Sequence, residues 1–314
     1  MVDQHTMLND FEGYEKFYFL GGSASWANIK GFLLNNIKQL NLYEGDKFKS
    51  PAVDVWGISD KNLFLEANGI LKQQTKPFFA IIQTSGNHRP YTIPEEDLKE
   101  FKRVEFPVDS LRNNGFDNND ELNAFRYSDY CIQKFMEAAK NESYYNNTLF
   151  VFIGDHGILG NPGNLFNKTW IEGELTREHV PLLFYAPRSL KPQVYSGPCS
   201  QIDVLPSIAG VLGKAYTNTT LGRNLFTPSL RSDSSMYGQS AFRYNAEKNE
   251  VSLVLNNYYY EINLTYNTEK LLHLHSNDPV PVTDATNQLK VQGKELALAI
   301  LQTSRYMLLN NQKK

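Results

Sequence analysis

A chain of 314 residues with 41% hydrophobic content is long enough to bury one large α/β core or two smaller ones. Its net charge of −3, with Lys and Arg scattered, argues against nucleic acid or an anionic membrane surface as the main partner. Two cysteines, Cys131 and Cys199, exclude a disulfide framework and a cysteine metal knuckle, and no apolar run nears the ~18 residues of a membrane-spanning helix.

The first residues, Met1-Val2-Asp3-Gln4-His5, lack the basic-then-apolar pattern of a secretory signal, so the chain as written is expected to be soluble. Phe17-Tyr18-Phe19-Leu20 reads as a strand that ends at Gly21-Gly22. Trp26 to Leu40 then reads as a helix with Ile29, Phe32, Leu33 and Ile37 on its apolar side. Asp60 to Leu71 is expected to be a second helix, capped by Ser59. Pro77 opens a strand from Phe78 to Gln83, and residues 89–119, rich in Pro, Asn and charge, read as a long surface excursion. Asp120 to Lys140 carries a helix pattern with Leu122, Phe125, Tyr130 and Phe135 on or near one face, and Cys131 as a buried structural thiol.

Leu149 to Ile153 is a strand of buried type, followed by a Gly/Asn-rich loop over 154–178 and a further strand from Val180 to Tyr185. Gln201 to Leu212 reads as a helix capped by Ser200. Beyond about residue 235, Ser252 to Leu255 and Tyr258 to Ile262 suggest a hairpin turning at Asn256-Asn257, and Lys290 to Leu309 a closing helix. Short strands alternating with amphipathic helices predict a layered α/β fold over 1–230, with a small α+β subdomain over 231–314.

Chemistry concentrates at the ends of two strands. Thr148-Leu149-Phe150-Val151-Phe152-Ile153 empties into Gly154-Asp155-His156-Gly157. Sites in open α/β sheets form just beyond the carboxyl ends of strands. The paired glycines permit a bend that lets Asp155 and His156 converge on one cation, a donor pair suited to Mn²⁺ or Zn²⁺ more than Ca²⁺. The plainer alternative is an Asp that caps a turn beside a surface His.

Phe78 to Gln83 empties likewise into Thr84-Ser85-Gly86-Asn87-His88-Arg89-Pro90-Tyr91. Arg89 offers a bidentate fork to phosphate or sulfate, and His88 can protonate a leaving oxygen near neutral pH. An ordinary polar turn is the alternative here too. His179 reads as structural, His273 and His275 as neighbours on one exposed strand face, and His5 as frayed. Neither a G-x-S-x-G nucleophile elbow nor a G-x-x-x-x-G-K-[ST] loop occurs. The sequons at Asn146 and Asn167 are of the kind that an Asn-rich chain produces by chance.

In order, Gly13-Tyr14, Phe19-Leu20-Gly21-Gly22, Trp56-Gly57-Ile58-Ser59-Asp60, Asn87-His88-Arg89-Pro90-Tyr91, Phe125-Arg126-Tyr127-Ser128-Asp129 and Gly154-Asp155-His156-Gly157 resemble the sulfatase-like branch of the alkaline phosphatase superfamily. Val180-Pro181-Leu182-Leu183, Ser200-Gln201-Ile202-Asp203 and Leu221-Gly222-Arg223 continue the series. The group most resembled is the lipoteichoic acid synthase, or phosphoglycerol transferase, type.

That resemblance implies an alkaline-phosphatase-like sandwich, with a central mixed, largely parallel sheet between helices. It implies a divalent metal on Asp155 and His156, Mn²⁺ foremost with Zn²⁺, Mg²⁺ or Ca²⁺ as alternatives. His88 would face the transferred phosphoryl or sulfuryl group, and Asn87, Arg89 and Trp26 would contact a phosphate- or sulfate-ester substrate, such as a glycerophospholipid or a glycan. Asn28 falls in the same pocket region, with Lys30 as a candidate basic contact near Ile29. Family members sit at the extracytoplasmic face of the cell membrane. In the family a nucleophilic Thr or Ser and a further acidic metal ligand precede the region matched by Gly13-Tyr14. The expectation is therefore a chain inactive alone, with an apolar sheet edge that either is covered by a partner chain supplying that segment or makes the chain poorly soluble. An ester hydrolase and a non-catalytic metal- or anion-binding remnant are the competing expectations.

Overall fold

The computed structural model describes residues 3–158, 160–163, 165–227, 235–238 and 240–311. Its contacts group the chain into two compact units. The first comprises Met1–Val151, Gly160–Pro162 and Phe184–Leu190; the second comprises Phe152–Leu159, Gly163–Leu183 and Lys191–Lys314. The subdomain boundary expected at 230 lies outside the described residues.

The first unit is built on three parallel strands in the order β2-β1-β3, where β1 is Glu15–Leu20, β2 is Leu40–Glu44 and β3 is Phe78–Gln83. Phe19 sits opposite Tyr43 on one side and Ile82 on the other. Phe17 to Leu20 are all buried, which explains why this part of β1 is apolar at successive positions rather than at alternate ones. β3 stands at the sheet edge with all six of its residues only half-buried.

Helix α1 spans only Ile29–Asn36, shorter than the Trp26 to Leu40 expected. Ala27 and Asn28 take left-handed φ values of 49° and 58°, which prevent the helix from starting at Trp26. Gln39, at φ 57°, turns the chain, and Leu40-Asn41-Leu42-Tyr43-Glu44 pairs with β1 instead. Helix α2, Asp60–Leu71, begins where expected, with the Ser59 side chain accepting from Asn62 N. It lays Leu63, Ala67 and Leu71, one turn apart, against Phe17, Phe19, Phe48 and Ile58.

After α3, Val108–Asn113, comes α4, Asn119–Ala139. The buried stripe of α4 is Ala124, Tyr127, Cys131, Phe135 and Ala139, while Phe125 is 54% exposed and lies off that face. Phe135 stacks on Phe64 of α2 at 5.1 Å. The excursion over 89–119 is anchored rather than merely superficial. Buried Asn123 bonds Val104 through both N and O, Tyr127 donates to buried Asp97, and Phe101 is buried beside Tyr127.

The chain passes between units within β4, Phe150–Ile153, and again within β5, Leu182–Tyr185, the strand with which β4 pairs. The loop over 154–178 contains two short helices, α5 at Lys168–Glu172 and α6 at Leu175–Glu178. A 3-10 turn at Gln201–Asp203, closed by the Ser200/Asp203 capping box, leads into α7, Val204–Leu212.

Four antiparallel strands follow in sequence order: β6 at Ser240–Asn245, β7 at Glu250–Leu255, β8 at Tyr258–Asn263 and β9 at Thr268–His273. The β7–β8 hairpin matches the expectation; β6 and β9, too mixed in pattern to stand out, flank it. Asn249, Asn256 and Asn267 adopt left-handed φ in the three successive turns, a conformation asparagine tolerates. Helix α8, Asp284–Asn310, starts earlier than Lys290 because Thr283 and Thr286 form a capping box. It seals Val251, Leu253, Tyr260 and Ile262 with Ala297, Ile300 and Leu301. Among the described residues, no helix is long and apolar enough to cross a membrane.

Candidate active site

In the first unit, the turn after β3 is held from beneath. Asp60, 2% exposed at the start of α2, accepts from Ser85 N and Gly86 N at 3.0 Å each, one amide per carboxylate oxygen. Burial pushes its carboxyl up, against the two N–H groups that favour the charged form. A Cβ on Gly86 would fall 2.6 Å from Asp60 Oδ2, so only glycine admits this approach. His88 N then donates to Ser85 O and Tyr91 N to His88 O, which closes the turn.

Trp56 supplies the other side of that turn. Its indole stacks on the His88 ring at 4.5 Å and 25°, and its Nε1 donates to Arg89 O at 2.7 Å. Trp26, 62% exposed, meets Trp56 edge-on at 6.3 Å. Trp26 and His88, both predicted from sequence, are thus joined through a residue that was not predicted as part of a site. Asn87 Oδ1 accepts from Ser128 Oγ at 3.1 Å, and Arg89 pairs with Asp117 at 2.9 Å in an exposed bridge. Such a bridge contributes little and yields readily to a better anion.

The loop bearing Trp26 is shaped by Glu44. That carboxylate accepts from Ala24 N at 2.8 Å and from Lys30 Nζ, while Lys30 N donates to Ala24 O at 2.7 Å. Lys30 is thereby committed to Glu44. The Lys30 hydrogen bond, with the Ala24 amide adding to it, holds the Glu44 carboxyl below its usual range in spite of burial. A carboxyl depressed in the fold contributes stability above its unfolded pKa, and loses it as pH falls through the folded value. Acidification below about pH 4.5 should therefore release the loop and shift the emission of Trp26. Glu44→Gln should remove that dependence; an identical acid transition in the variant would refute the link.

In the second unit, β4 runs into Gly154-Asp155-His156-Gly157. Asp155 Oδ2 and His156 Nε2 stand 3.9 Å apart, with side chains 81% and 46% exposed. His156 Nδ1 lies 2.9 Å from Gly157 O, a contact that favours the proton on Nδ1 and orients the ring. Neither glycine takes a positive φ. They are needed for close approach: a Cβ at Gly157 would sit 2.2 Å from Thr176 O, and one at Gly154 would sit 2.9 Å from Val180 Cβ. Gln201 Nε2 donates to both Gly154 O and Asp155 O at 2.8 Å, pinning the backbone of the pair.

Donors about 2.0–2.2 Å from one tetrahedral cation stand roughly 3.3–3.6 Å apart, so the pair, at 3.9 Å, would close slightly to share one. Among the described residues, no group of three or more His, Cys, Asp or Glu is arranged to hold a metal. Asp155 and His156 by themselves offer two donors. Elsewhere His179 packs on Trp170 and His273 on Tyr258, while His5 approaches Asp10 at 3.3 Å.

The family model described as Sulfatase matches residues 6–214. Lipoteichoic acid synthase 1 of Bacillus subtilis is 27% identical over 237 residues, 71% of this chain and 35% of that protein. The lipoteichoic acid synthase of Staphylococcus saprophyticus is 27% identical over 221 residues, 66% of this chain and 32% of that protein. Among solved structures, a protein in the alkaline phosphatase superfamily from Vibrio parahaemolyticus matches at a TM-score of 0.70 and 22% identity, covering 100% of this chain and 71% of its own. The lipoteichoic acid synthase LtaP from Listeria monocytogenes matches at 0.70 and 18%, covering 99% and 75%. The chain spans only 24–35% of the length of the curated relatives it matches. The expected alkaline-phosphatase-like α/β fold is borne out by these neighbours, with a C-terminal sheet and helix.

Proposed function

The chain belongs to the sulfatase family, and from that premise we propose that it carries part of the site of a metal-assisted phosphoryl or sulfuryl transfer from an ester. The observation that supports this most is the Asp155–His156 pair, open to solvent just beyond an apolar strand and backed by Gln201. When bound, a divalent metal such as Mn²⁺ would lower the pKa of a hydroxyl nucleophile and offset developing charge. Asp155 and His156 would be two of its ligands. His88, held by Trp56, would donate a proton toward the transferred group or the leaving oxygen. Arg89 would exchange Asp117 for the ester anion, with Asn87 beside it, and Trp26 would offer an apolar face to the alcohol portion.

Transfer and hydrolysis share these steps and differ in the acceptor. The kinship supports a phosphate- or sulfate-ester substrate, such as a glycerophospholipid or a glycan, met at the extracytoplasmic face of the cell membrane.

The test is a Mn²⁺ titration of isotope-labelled protein. Paramagnetic broadening should begin at Asp155 and His156 and spread outward. Loss of a ligand in Asp155→Ala should weaken binding by more than the roughly 10–100-fold expected for loss of an outer support. Broadening that starts elsewhere, or that survives the substitution unchanged, would overturn the assignment.

A further inference from the structure

We propose that Trp56 is a positioning residue that sets the ring plane of His88 and the backbone of His88-Arg89; its importance for chemistry rests on the reading of His88 given above. Two contacts of different kinds converge. The indole face covers the imidazole at 4.5 Å, and the indole N–H grips the carbonyl of the next residue at 2.7 Å. A stack alone restricts the tilt of a ring, while a hydrogen bond alone restricts the chain. Together they fix χ1 and χ2 of His88 relative to its own backbone.

The backbone that carries the indole is itself anchored. Trp56 N donates to Asp54 Oδ1 at 2.8 Å, Gly57 N to Asp54 O at 3.2 Å, and Val53 N to Gly57 O at 2.7 Å, so the residue sits in a closed turn. Its carbonyl packs on Gly22, where a Cβ would lie only 2.4 Å away, and Gly57 presses on Gly21 O. These contacts tie the Trp56 turn to the carboxyl end of β1, a buried strand, rather than to a free loop. Trp26, edge-on to the same indole, makes Trp56 the common neighbour of both candidate substrate contacts. A side chain placed for packing alone would need neither the directed N–H nor the near-parallel overlap with a half-exposed imidazole.

The experiment uses the full chain, isotope-labelled, with inorganic phosphate as probe. In the wild type, the His88 ring protons should show an upfield ring-current displacement. Trp56→Leu should abolish it, and Trp56→Phe should restore most of it; the His179 and His273 signals should stay in place as evidence of an intact fold. Phosphate should move the His88 signals, with affinity roughly tenfold weaker in Trp56→Leu and regained in Trp56→Phe. Unchanged His88 shifts in Trp56→Leu would overturn the positioning role. If the ring-current effect behaves as stated but phosphate leaves the His88 signals unmoved even in the wild type, the role stands, and the reading of His88 as the group that meets the substrate falls.

Discussion

Asp203→Ala should destabilise the second unit by about 3–5 kcal/mol, the cost of leaving a buried partner charge uncompensated. Asp203 is fully buried, and its carboxylate accepts from Arg223 N at 2.7 Å, from Arg223 Nη2 at 3.2 Å and from Ser200 N at 2.9 Å. Arg223 in turn donates to the carbonyls of Pro198, Tyr237, Gly238 and Ser240. One ion pair thus joins the start of α7 to the segment that leads into β6. Asp203→Asn keeps the shape and the acceptor for Ser200 N, and should cost less than the alanine. Urea unfolding followed by circular dichroism measures both; equal, small losses would show that the pair carries no weight. Gln201 lies inside the same capped turn, so the alanine variant should also loosen the Asp155–His156 backbone and weaken Mn²⁺ binding.

Gly57→Ala is expected to cost roughly 3 kcal/mol or more, combining a left-handed φ with overpacking. Gly57 has φ +105°, and a Cβ there would sit 2.0 Å from Gly21 O and 2.6 Å from Gly22 Cα. None of those atoms belongs to a movable side chain, so the backbone must separate. Gly69→Ala is the control with the opposite sign: it lies within α2 with nothing within 4 Å of the added carbon. That substitution should stabilise by about 0.5–1 kcal/mol. If Gly57→Ala were as stable as the wild type, the close approach between the β1 end and the Trp56 turn would not exist in solution.

The contrast between these two glycines shows what could be read from the chain alone. The strand at Phe78–Gln83, the helix at Asp60–Leu71 and the β7–β8 hairpin were legible because each declares itself through local composition and end signals. Strand β2 was not, since its first residue, Leu40, closes an apparently helical stretch from Trp26, and the left-handed turn at Gln39 leaves no local signal. The Asp155–His156 pair and His88 were legible from their place after apolar strands and from an ordered series of motifs. Trp56, Asp60, Gln201 and Arg223 stood inside those motifs, but their roles arise from contacts 14 to 47 residues away in sequence, such as Arg223 to Tyr237 O and Gln201 to Gly154 O. Local pattern carries no record of such pairings. The same holds for the bond from Lys30 to Glu44.

The anchorage of the His88 turn on Asp60 also has a dynamic reading. The amides of Ser85 and Gly86 end on a carboxylate that belongs to the first turn of α2. For these protons to exchange with solvent, that carboxylate must move away, which requires the helix start to open against Leu63 and the β1 core. A turn that looks like a surface loop should therefore show the slow deuterium uptake of a helix interior.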